Sequence, residues 1–158
     1  MVGFVALGSN VGDREEHLRE ALAAMEERGV LPVALSSLWE TEPVGGAGPA
    51  WFLNMVAKIE TSLPPEAVLE TLLAIERRRG RIRAGSNAPR ELDLDLLLLG
   101  NLRREGPALT LPHPRMTSRR FVLAPLAEVA PEFAGALAKV DDPHEVRNVG
   151  KLVYSRAL

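Results

Sequence analysis

Two aspartates at the start of an apolar stretch are the residues of this chain that most directly suggest chemistry. Asp93 and Asp95 alternate with leucines between Glu91 and Leu96. Such alternation predicts a strand in which residues two apart share a face. Neighbouring carboxylates repel each other unless they are neutralised, and Mg²⁺ prefers one or two carboxylates together with phosphate oxygens. The spacing therefore suggests a metal site, with a solvated acidic strand face as the alternative.

The leucines of this strand are expected to divide between its two faces. Strict alternation assigns one set to the buried face: Leu92, Leu94, Leu96 and Leu98. Leu97 and Leu99 are then expected on the face of the aspartates, which Glu91 also shares.

Basic residues flank the acidic strand on both sides in the sequence. Their guanidinium forks are suited to phosphate oxygens, and the cluster comprises Arg81, Arg83, Arg90, Arg115, Arg119 and Arg120. His113 stands between two prolines that fix its backbone direction, so we interpret it as a phosphate contact. Paired carboxylates with arginines and one histidine are typical of phosphoryl transfer. The glycine-containing turn after the first strand lacks the Lys-Ser/Thr of a Walker loop.

Two phenylalanines and one asparagine suggest a pocket for a flat ring. Phe52 and Phe121 could stack on a heteroaromatic ring, while Asn54 offers an amide donor and acceptor to its edge. Core packing is the alternative for each of them. Glu76 falls on the apolar stripe of its helix, where it faces either a ligand or an arginine.

Composition sets the class of the chain. Its 158 residues fit one domain, 1–158, and 46% hydrophobic with 25% charged residues is ordinary for a soluble globular protein. A net charge of -2 argues against nucleic-acid or membrane partners, and the lack of cysteine excludes disulfides and thiolate ligands. No signal peptide or transmembrane run is evident, so a cytoplasmic monomer, or a dimer, is expected.

The periodicity of the chain predicts the order β-α-β-β-α-β followed by a C-terminal extension. The predicted elements are strands 2–7, 32–41, 52–60 and the acidic strand, and helices 13–28, 64–80 and 121–129. This order is that of the ferredoxin-like split βαβ fold, an α+β architecture with an antiparallel sheet and helices on one face. Residues 134–158 show no readable pattern.

These motifs, in their order and spacing, resemble the 6-hydroxymethyl-7,8-dihydropterin pyrophosphokinase family over about residues 2–133. The residues that carry the resemblance are Leu7-Gly8-Ser9-Asn10, Phe52-Leu53-Asn54, Ile75-Glu76, Gly80-Arg81-Ile82-Arg83, Pro89-Arg90-Glu91-Leu92-Asp93-Leu94-Asp95, Pro112-His113-Pro114-Arg115-Met116 and Arg119-Arg120-Phe121. The chain departs from the family pattern at Ser86-Asn87-Ala88, where an aromatic residue is common, and at Ala84, Glu91 and Pro114.

The resemblance implies transfer of the β,γ-diphosphate of ATP to the hydroxymethyl group of the pterin, with release of AMP. It assigns two Mg²⁺ ions to Asp93 and Asp95 and catalytic roles to these aspartates and to Arg81 and Arg83 on a mobile loop. The implied ATP contacts are Glu76, Arg83, Arg90, Leu96 (or its neighbour Leu97), Thr110, His113 and Arg119. The implied pterin contacts are Thr41, Pro43, Val44, Phe52, Asn54, Asp93 and Phe121.

Two other functions are compatible with parts of the pattern. An Asp-x-Asp metal site also occurs in glycosyltransferases, but the chain is short for that class and its arginines suit a triphosphate better. A ferredoxin-like RNA-binding module is the non-enzymatic alternative. The net charge and the lack of paired aromatic strand motifs argue against it.

Overall fold

The computed structural model describes residues 1–42, 51–78 and 92–154. Within these ranges the strands are β1 Val2–Ser9, β2 Leu31–Leu35, β3 Leu38–Thr41, β4 Phe52–Glu60, β5 Asp93–Leu99, β6 Arg104–Glu105, β7 Thr110–Leu111 and β8 Val146–Gly150. The helices are α1 Arg14–Glu27, α2 Pro65–Arg78, α3 Arg120–Val129 and α4 Ala134–Lys139, with a 3₁₀ turn at Pro131–Phe133. None of these helices is long and apolar enough to cross a membrane.

One antiparallel sheet organises the chain. Its order is β5-β1-β4-β3-β8, and β2 also pairs with β4. The first five predicted elements and the acidic strand thus form the split βαβ arrangement, which confirms the α+β, ferredoxin-like prediction. The short strands β6 and β7 form a separate hairpin.

Both faces of the sheet are covered, each by different helices. Val5 and Leu7 of β1 belong to the core that contains Leu18 and Leu22 of α1 and Leu72 of α2. Phe4 and Val56 point to the other face, where they pack with Val122, Leu123 and Leu126 of α3. The helices of the split βαβ unit therefore share one face as expected. The third helix, α3, packs on the opposite face. The predicted architecture placed helices on one face alone and did not include this packing.

A bulge in β5 corrects the expected division of its leucines. Val5 pairs with Leu96 but Phe4 pairs with Leu98, so Leu97 is an extra residue in β5. Beyond the bulge the faces are exchanged: Leu98 packs on the α3 side and Leu99 on the α1–α2 side. The predictions for Leu98 and Leu99 were therefore wrong, because simple alternation does not account for an inserted residue.

The strand predicted at 32–41 divides into β2 and β3 at two buried serines. Ser36 donates its N–H to the carbonyl of Val56, while its Oγ accepts the Val56 N–H, each at 2.9 Å. The serine hydroxyl thus takes the place of a backbone carbonyl in the ladder. Both halves still pair with β4, as the split βαβ arrangement requires.

The C-terminal residues, which the sequence pattern did not resolve, complete the sheet. β8 pairs with β3, with Thr41 opposite Val146 and Glu40 opposite Arg147. Leu152 beyond it is buried in the α1–α2 core. β8 is a short edge strand that is largely exposed, which explains why hydrophobic periodicity did not reveal it.

Candidate functional site

A row of residues across three neighbouring strands forms the floor of the candidate site. Gly8 of β1 lies opposite Asn54 of β4 on one side and opposite Asp93 of β5 on the other. Directly opposed residues of an antiparallel sheet share a face, and two interstrand spacings separate Asn54 from Asp93 by about 10 Å. Asp95 lies opposite Ala6 on the same face. The floor thus presents an amide at one end and two carboxylates at the other.

A cleft above this floor brings most of the described candidate residues together. It is lined by Ala6, Leu7, Gly8, Asn54, Met55, Asp93, Asp95, Leu97, His113, Arg115, Arg119, Phe121 and Val122. The polar side chains thus converge from β4, β5, the turn after β7 and the start of α3.

Gly8 leaves room for the amide of Asn54. A Cβ atom at position 8 would lie 2.5 Å from Asn54 Oδ1, a distance that real Cβ contacts do not show. Only glycine therefore permits this close approach of a side chain to β1. The sequence signal was the Leu7-Gly8-Ser9-Asn10 motif, but Gly8 itself was not predicted as a site residue.

Thr41 orients that amide. Asn54 Nδ2 donates to Thr41 Oγ1 at 2.9 Å, and both side chains are buried. The bond leaves Oδ1 directed over Gly8. Phe52 pairs with Thr41 at the end of the β3–β4 ladder and lies two residues before Asn54 on the same face.

The aspartates provide a donor set that fits a hard divalent cation. Asp93 is partly buried and Asp95 is exposed, and both line the cleft on one face of β5. Two carboxylates are the usual protein contribution to a Mg²⁺ ion that also binds phosphate oxygens. Among the described residues there is no group of three or more acidic, histidine or cysteine side chains of the kind that forms an all-protein metal site. The arrangement is therefore suited to a cation shared with a ligand.

The β5 bulge helps to position His113. Its N–H donates to the carbonyl of Leu97, the bulged residue, at 2.9 Å. Its Nδ1 accepts the N–H of Arg115 at 3.2 Å, which places the ring proton on Nε2 in the neutral tautomer. The pKa of His113 is lowered, chiefly by burial and then by the positive charges of Arg119 and Arg115. The negative charge of Asp93 opposes this shift and raises the pKa. The ring is therefore neutral at pH 7, with an N–H to donate.

The start of α3 supplies a cation and an aromatic ring to the same cleft. The guanidinium of Arg119 lies 5.6 Å from the ring centroid of Phe121, within the range of a cation–π contact. Arg120 is directed elsewhere, since its guanidinium donates to the carbonyls of Val140 and Asp142. The basic side of the cleft in the described residues thus consists of Arg115, Arg119 and His113.

Three predicted nucleotide contacts lie away from this cleft. Glu76 is 2% exposed, and its Oε2 accepts the N–H of Leu94 at 2.7 Å. The side chain of Leu96 is buried in the α1–α2 core, whereas its neighbour Leu97 lines the cleft. Thr110 lies in β7 and donates its hydroxyl to the carbonyl of Gly106.

Other predicted residues lie outside the described ranges. They are Pro43, Val44, Arg81, Arg83 and Arg90. Conversely, the cleft includes Leu97 and Arg115, to which no firm role had been assigned. Arg115 belonged to the basic cluster in the sequence, and Leu97 lies on the face of the aspartates, as the alternation predicted.

Fold and cleft together define a class: an α+β protein whose antiparallel sheet carries a carboxylate pair facing arginines and a neutral histidine, an arrangement suited to phosphoryl transfer. Residues 4–131 match the family model described as 7,8-dihydro-6-hydroxymethylpterin-pyrophosphokinase (HPPK). The chain belongs to this family, which confirms the resemblance recognised in its motifs.

Relatives support the same family membership. The chain is 46% identical over 151 residues to the 2-amino-4-hydroxy-6-hydroxymethyldihydropteridine pyrophosphokinase of Bacillus subtilis, covering 95% of this chain and 90% of that one. It is 44% identical over 134 residues to the Pseudomonas aeruginosa protein of the same name, covering 82% and 81%.

Solved structures share the fold. A Plasmodium falciparum HPPK-DHPS crystal structure superposes with a TM-score of 0.68 at 15% identity, covering 87% of this chain and 45% of that chain. An HPPK-DHPS structure in complex with substrates gives a TM-score of 0.62 at 13% identity, covering 88% and 42%. The chain therefore spans less than half of those longer proteins, and the likeness concerns the fold.

Proposed function

We propose that this protein transfers the β,γ-diphosphate of ATP to the hydroxymethyl group of 6-hydroxymethyl-7,8-dihydropterin and releases AMP, as a step in folate biosynthesis. The observation that carries the proposal is the single cleft in which Asn54 and Phe121 lie beside Asp93, Asp95, His113 and Arg119. It joins groups suited to a pterin with groups suited to a triphosphate. Family membership favours this reaction over the glycosyltransferase and RNA-binding alternatives.

The pterin is assigned to the Asn54 end of the floor. One N–H of Nδ2 is bound to Thr41, and Oδ1 lies over Gly8 on the floor of the cleft, where it would accept an N–H from the edge of the pterin. Phe121, and Phe52 on the same face as Asn54, supply rings for stacking. The hydroxymethyl group would then be directed along the floor toward the aspartates.

The triphosphate is assigned to the opposite end. His113 donates from Nε2 to a phosphate oxygen, and Arg119 with Arg115 neutralises phosphate charge. Arg81, Arg83 and Arg90 add phosphate contacts according to the family resemblance. Asp93 and Asp95 would hold Mg²⁺, which when bound neutralises charge on the triphosphate and helps to align it.

The chemical step requires mainly alignment and charge neutralisation. A bond forms between the hydroxymethyl oxygen and the β-phosphorus, and the hydroxyl proton is released to water. The bond from that phosphorus to the oxygen shared with the α-phosphate breaks, so that AMP leaves with this oxygen. Positioning two substrates in line is worth several kcal/mol, on the order of 7–11 for well-oriented groups. The cleft residues therefore act by holding both substrates and stabilising the developing charge.

The decisive experiment is a product assay with purified protein, ATP, Mg²⁺ and the reduced hydroxymethylpterin. We expect one AMP for each pterin diphosphate formed, measured by chromatography of the nucleotides. Omission of the pterin is expected to abolish AMP release, and a chelator is expected to do the same. Formation of ADP in place of AMP, or turnover that continues in the chelator, would contradict the assigned reaction or the metal requirement respectively.

The nature of the substrates also bears on where the enzyme acts. Both substrates are small molecules, and ATP is available in the cytoplasm, so we assign the protein to that compartment. We also propose that the domain 1–158 acts as a monomer, with a dimer as the alternative.

A further inference from the structure

A cluster of two arginines and one glutamate lies on the face of the sheet opposite the cleft. Arg14, the first residue of α1, donates from Nη2 to Glu40 Oε2 at 2.8 Å and from Nη1 to the carbonyl of Trp51 at 2.9 Å. Glu40 belongs to β3, and Trp51 immediately precedes β4. A single guanidinium therefore joins the two strands whose other face carries Thr41, Phe52 and Asn54.

The ladder that Arg14 bridges is short. It contains three residue pairs, and its final pair is Thr41 with Phe52. The ends of short ladders open more readily than their centres, because they have fewer contacts to hold them. On β3, Arg14 bonds to Glu40, which lies within the ladder next to Thr41. On the other strand it bonds to Trp51, which lies just outside the ladder next to Phe52. The two bonds cross the point at which opening of the ladder would begin.

Arg147 of β8 reinforces the same cluster. Its Nη2 lies 3.2 Å from Glu40 Oε1, and its guanidinium lies 4.3 Å from the ring centroid of Trp51. Each carboxylate oxygen of Glu40 thus has its own arginine. The pKa of Glu40 lies below its ordinary value, chiefly because of the hydrogen bond from Arg14. Burial opposes this shift, whereas the charge of Arg14 and the bond and charge of Arg147 add to it. The cluster therefore stays ionised at neutral pH.

We propose that Arg14 is a positioning residue for the pterin: by closing the β3–β4 ladder from the opposite face, it holds Phe52 and Thr41 in place, and through Thr41 the amide of Asn54. This inference rests on the proposed function, because it concerns the pterin end of that cleft. Arg14 does not contact the cleft itself. Its effect is therefore on pterin affinity and not on the groups assigned to ATP.

The matched test compares Arg14→Met with Arg19→Met. Both arginines belong to α1 and form an ion pair with a nearby glutamate at 2.8 Å, but Arg19 bonds to Glu16 and to the carbonyl of Val153, away from the β3–β4 ladder. Arg14→Met is expected to raise the KM for the pterin about tenfold, equivalent to about 1.4 kcal/mol. The KM for ATP is expected to stay unchanged, and Arg19→Met is expected to leave both constants unchanged. Equal changes in both KM values, or no change in either, would overturn the inference.

Hydrogen exchange provides a readout that does not depend on turnover. In Arg14→Met, the backbone amides of β3 and of the first residues of β4 are expected to exchange faster, while those of α2 and β5 remain as in the wild type. Uniformly faster exchange would indicate general destabilisation and contradict a positioning role. Arg14→Lys, which can bond to one partner but cannot fork between two, is expected to give an intermediate KM for the pterin. A wild-type protein that forms no AMP would overturn the proposed function, whereas an active wild type with an unaltered Arg14→Met would overturn this inference alone.

Discussion

Asn54 donates from Nδ2 to the hydroxyl of Thr41 at 2.9 Å, and this buried bond decides which atom of the amide faces the cleft. The neighbouring Oδ1 lies over Gly8, where a side chain would collide with it. The specificity assigned to Asn54 therefore depends on the hydroxyl of Thr41 in β3 and on glycine, which has no side chain, at position 8 of β1.

Thr41→Val removes the hydroxyl with little change in volume. Loss of a buried partner leaves the Asn54 amide without its acceptor, which costs about 1–3 kcal/mol. We expect the KM for the pterin to rise about tenfold while the KM for ATP is unchanged, as measured by steady-state kinetics. Thr41→Ser keeps the hydroxyl and should retain near wild-type affinity. Equal effects of the two substitutions would show that the bond does not orient the amide.

Gly8→Ala tests the close approach of Asn54 to β1. The added Cβ would lie 2.5 Å from Asn54 Oδ1, so the amide must move and pterin binding should be lost. Overpacking of this kind costs about 1–3 kcal/mol of folding stability. The control is Gly135→Ala in α4, where a Cβ meets nothing within 4 Å and where alanine should stabilise by up to about 1 kcal/mol. Calorimetry and pterin titration of both variants check the contrast, and normal pterin binding by Gly8→Ala would contradict it.

Asp95→Asn tests the proposed metal site with little effect on the fold. Asp95 is exposed, so the free energy of unfolding should change by less than about 0.5 kcal/mol. We expect AMP formation to fall about 100-fold or more, equivalent to about 2.7 kcal/mol of transition-state stabilisation. Asp141→Asn, an exposed aspartate outside the cleft, serves as the control and should be fully active. Full activity of Asp95→Asn would refute the assignment of this carboxylate.

His113 predicts a pH dependence of stability. Its pKa is lowered in the folded state, chiefly by burial, so below its ordinary value of 6.5 the unfolded chain binds more protons than the folded one. The free energy of unfolding should therefore decrease as the pH falls through 6.5. His113→Gln is expected to show a shallower decrease between pH 7.5 and 5.5 in urea denaturation. An unchanged slope would show that His113 does not titrate differently in the two states.

Asp142 links the C-terminal segment to the start of α3. Burial raises the pKa of Asp142, but the N–H groups of Arg120 and His144 and the His144 ring outweigh it and hold the pKa below the ordinary 3.8. The resulting stabilisation is present above pH 3.8 and is lost as the pH falls further through the folded-state pKa. Asp142→Asn should lower the free energy of unfolding at pH 7 by about 1.5–3 kcal/mol. It should also reduce the further loss of stability that the wild type shows as the pH falls below 3.8. Denaturation curves at pH 7 and below pH 4 measure both effects, and equal acid sensitivity in the two proteins would contradict the assignment.

Several parts of the fold and the site followed from the sequence because they depend on local patterns. Leu53, Met55, Ala57 and Ile59 alternate along β4 in the sequence, and all four lie in one core. The two-residue spacing of Asp93 and Asp95 put both on one face, because the bulge comes after them. Order and spacing of the motifs were sufficient to recognise the family, which the family model confirmed.

Tertiary structure decided what local patterns cannot encode. The inserted residue Leu97 exchanged the faces of β5 and offered its carbonyl to His113, because bulges arise from pairing with a neighbour and not from periodicity. The exposed edge strand β8 acquired its place through pairing with β3 and the ion cluster around Glu40. The sequence thus determined which groups could do chemistry and the order of the elements that carry them. Only long-range strand pairing brought Asn54, Gly8 and Asp93 into one row, since that distance depends on register between strands far apart in the chain.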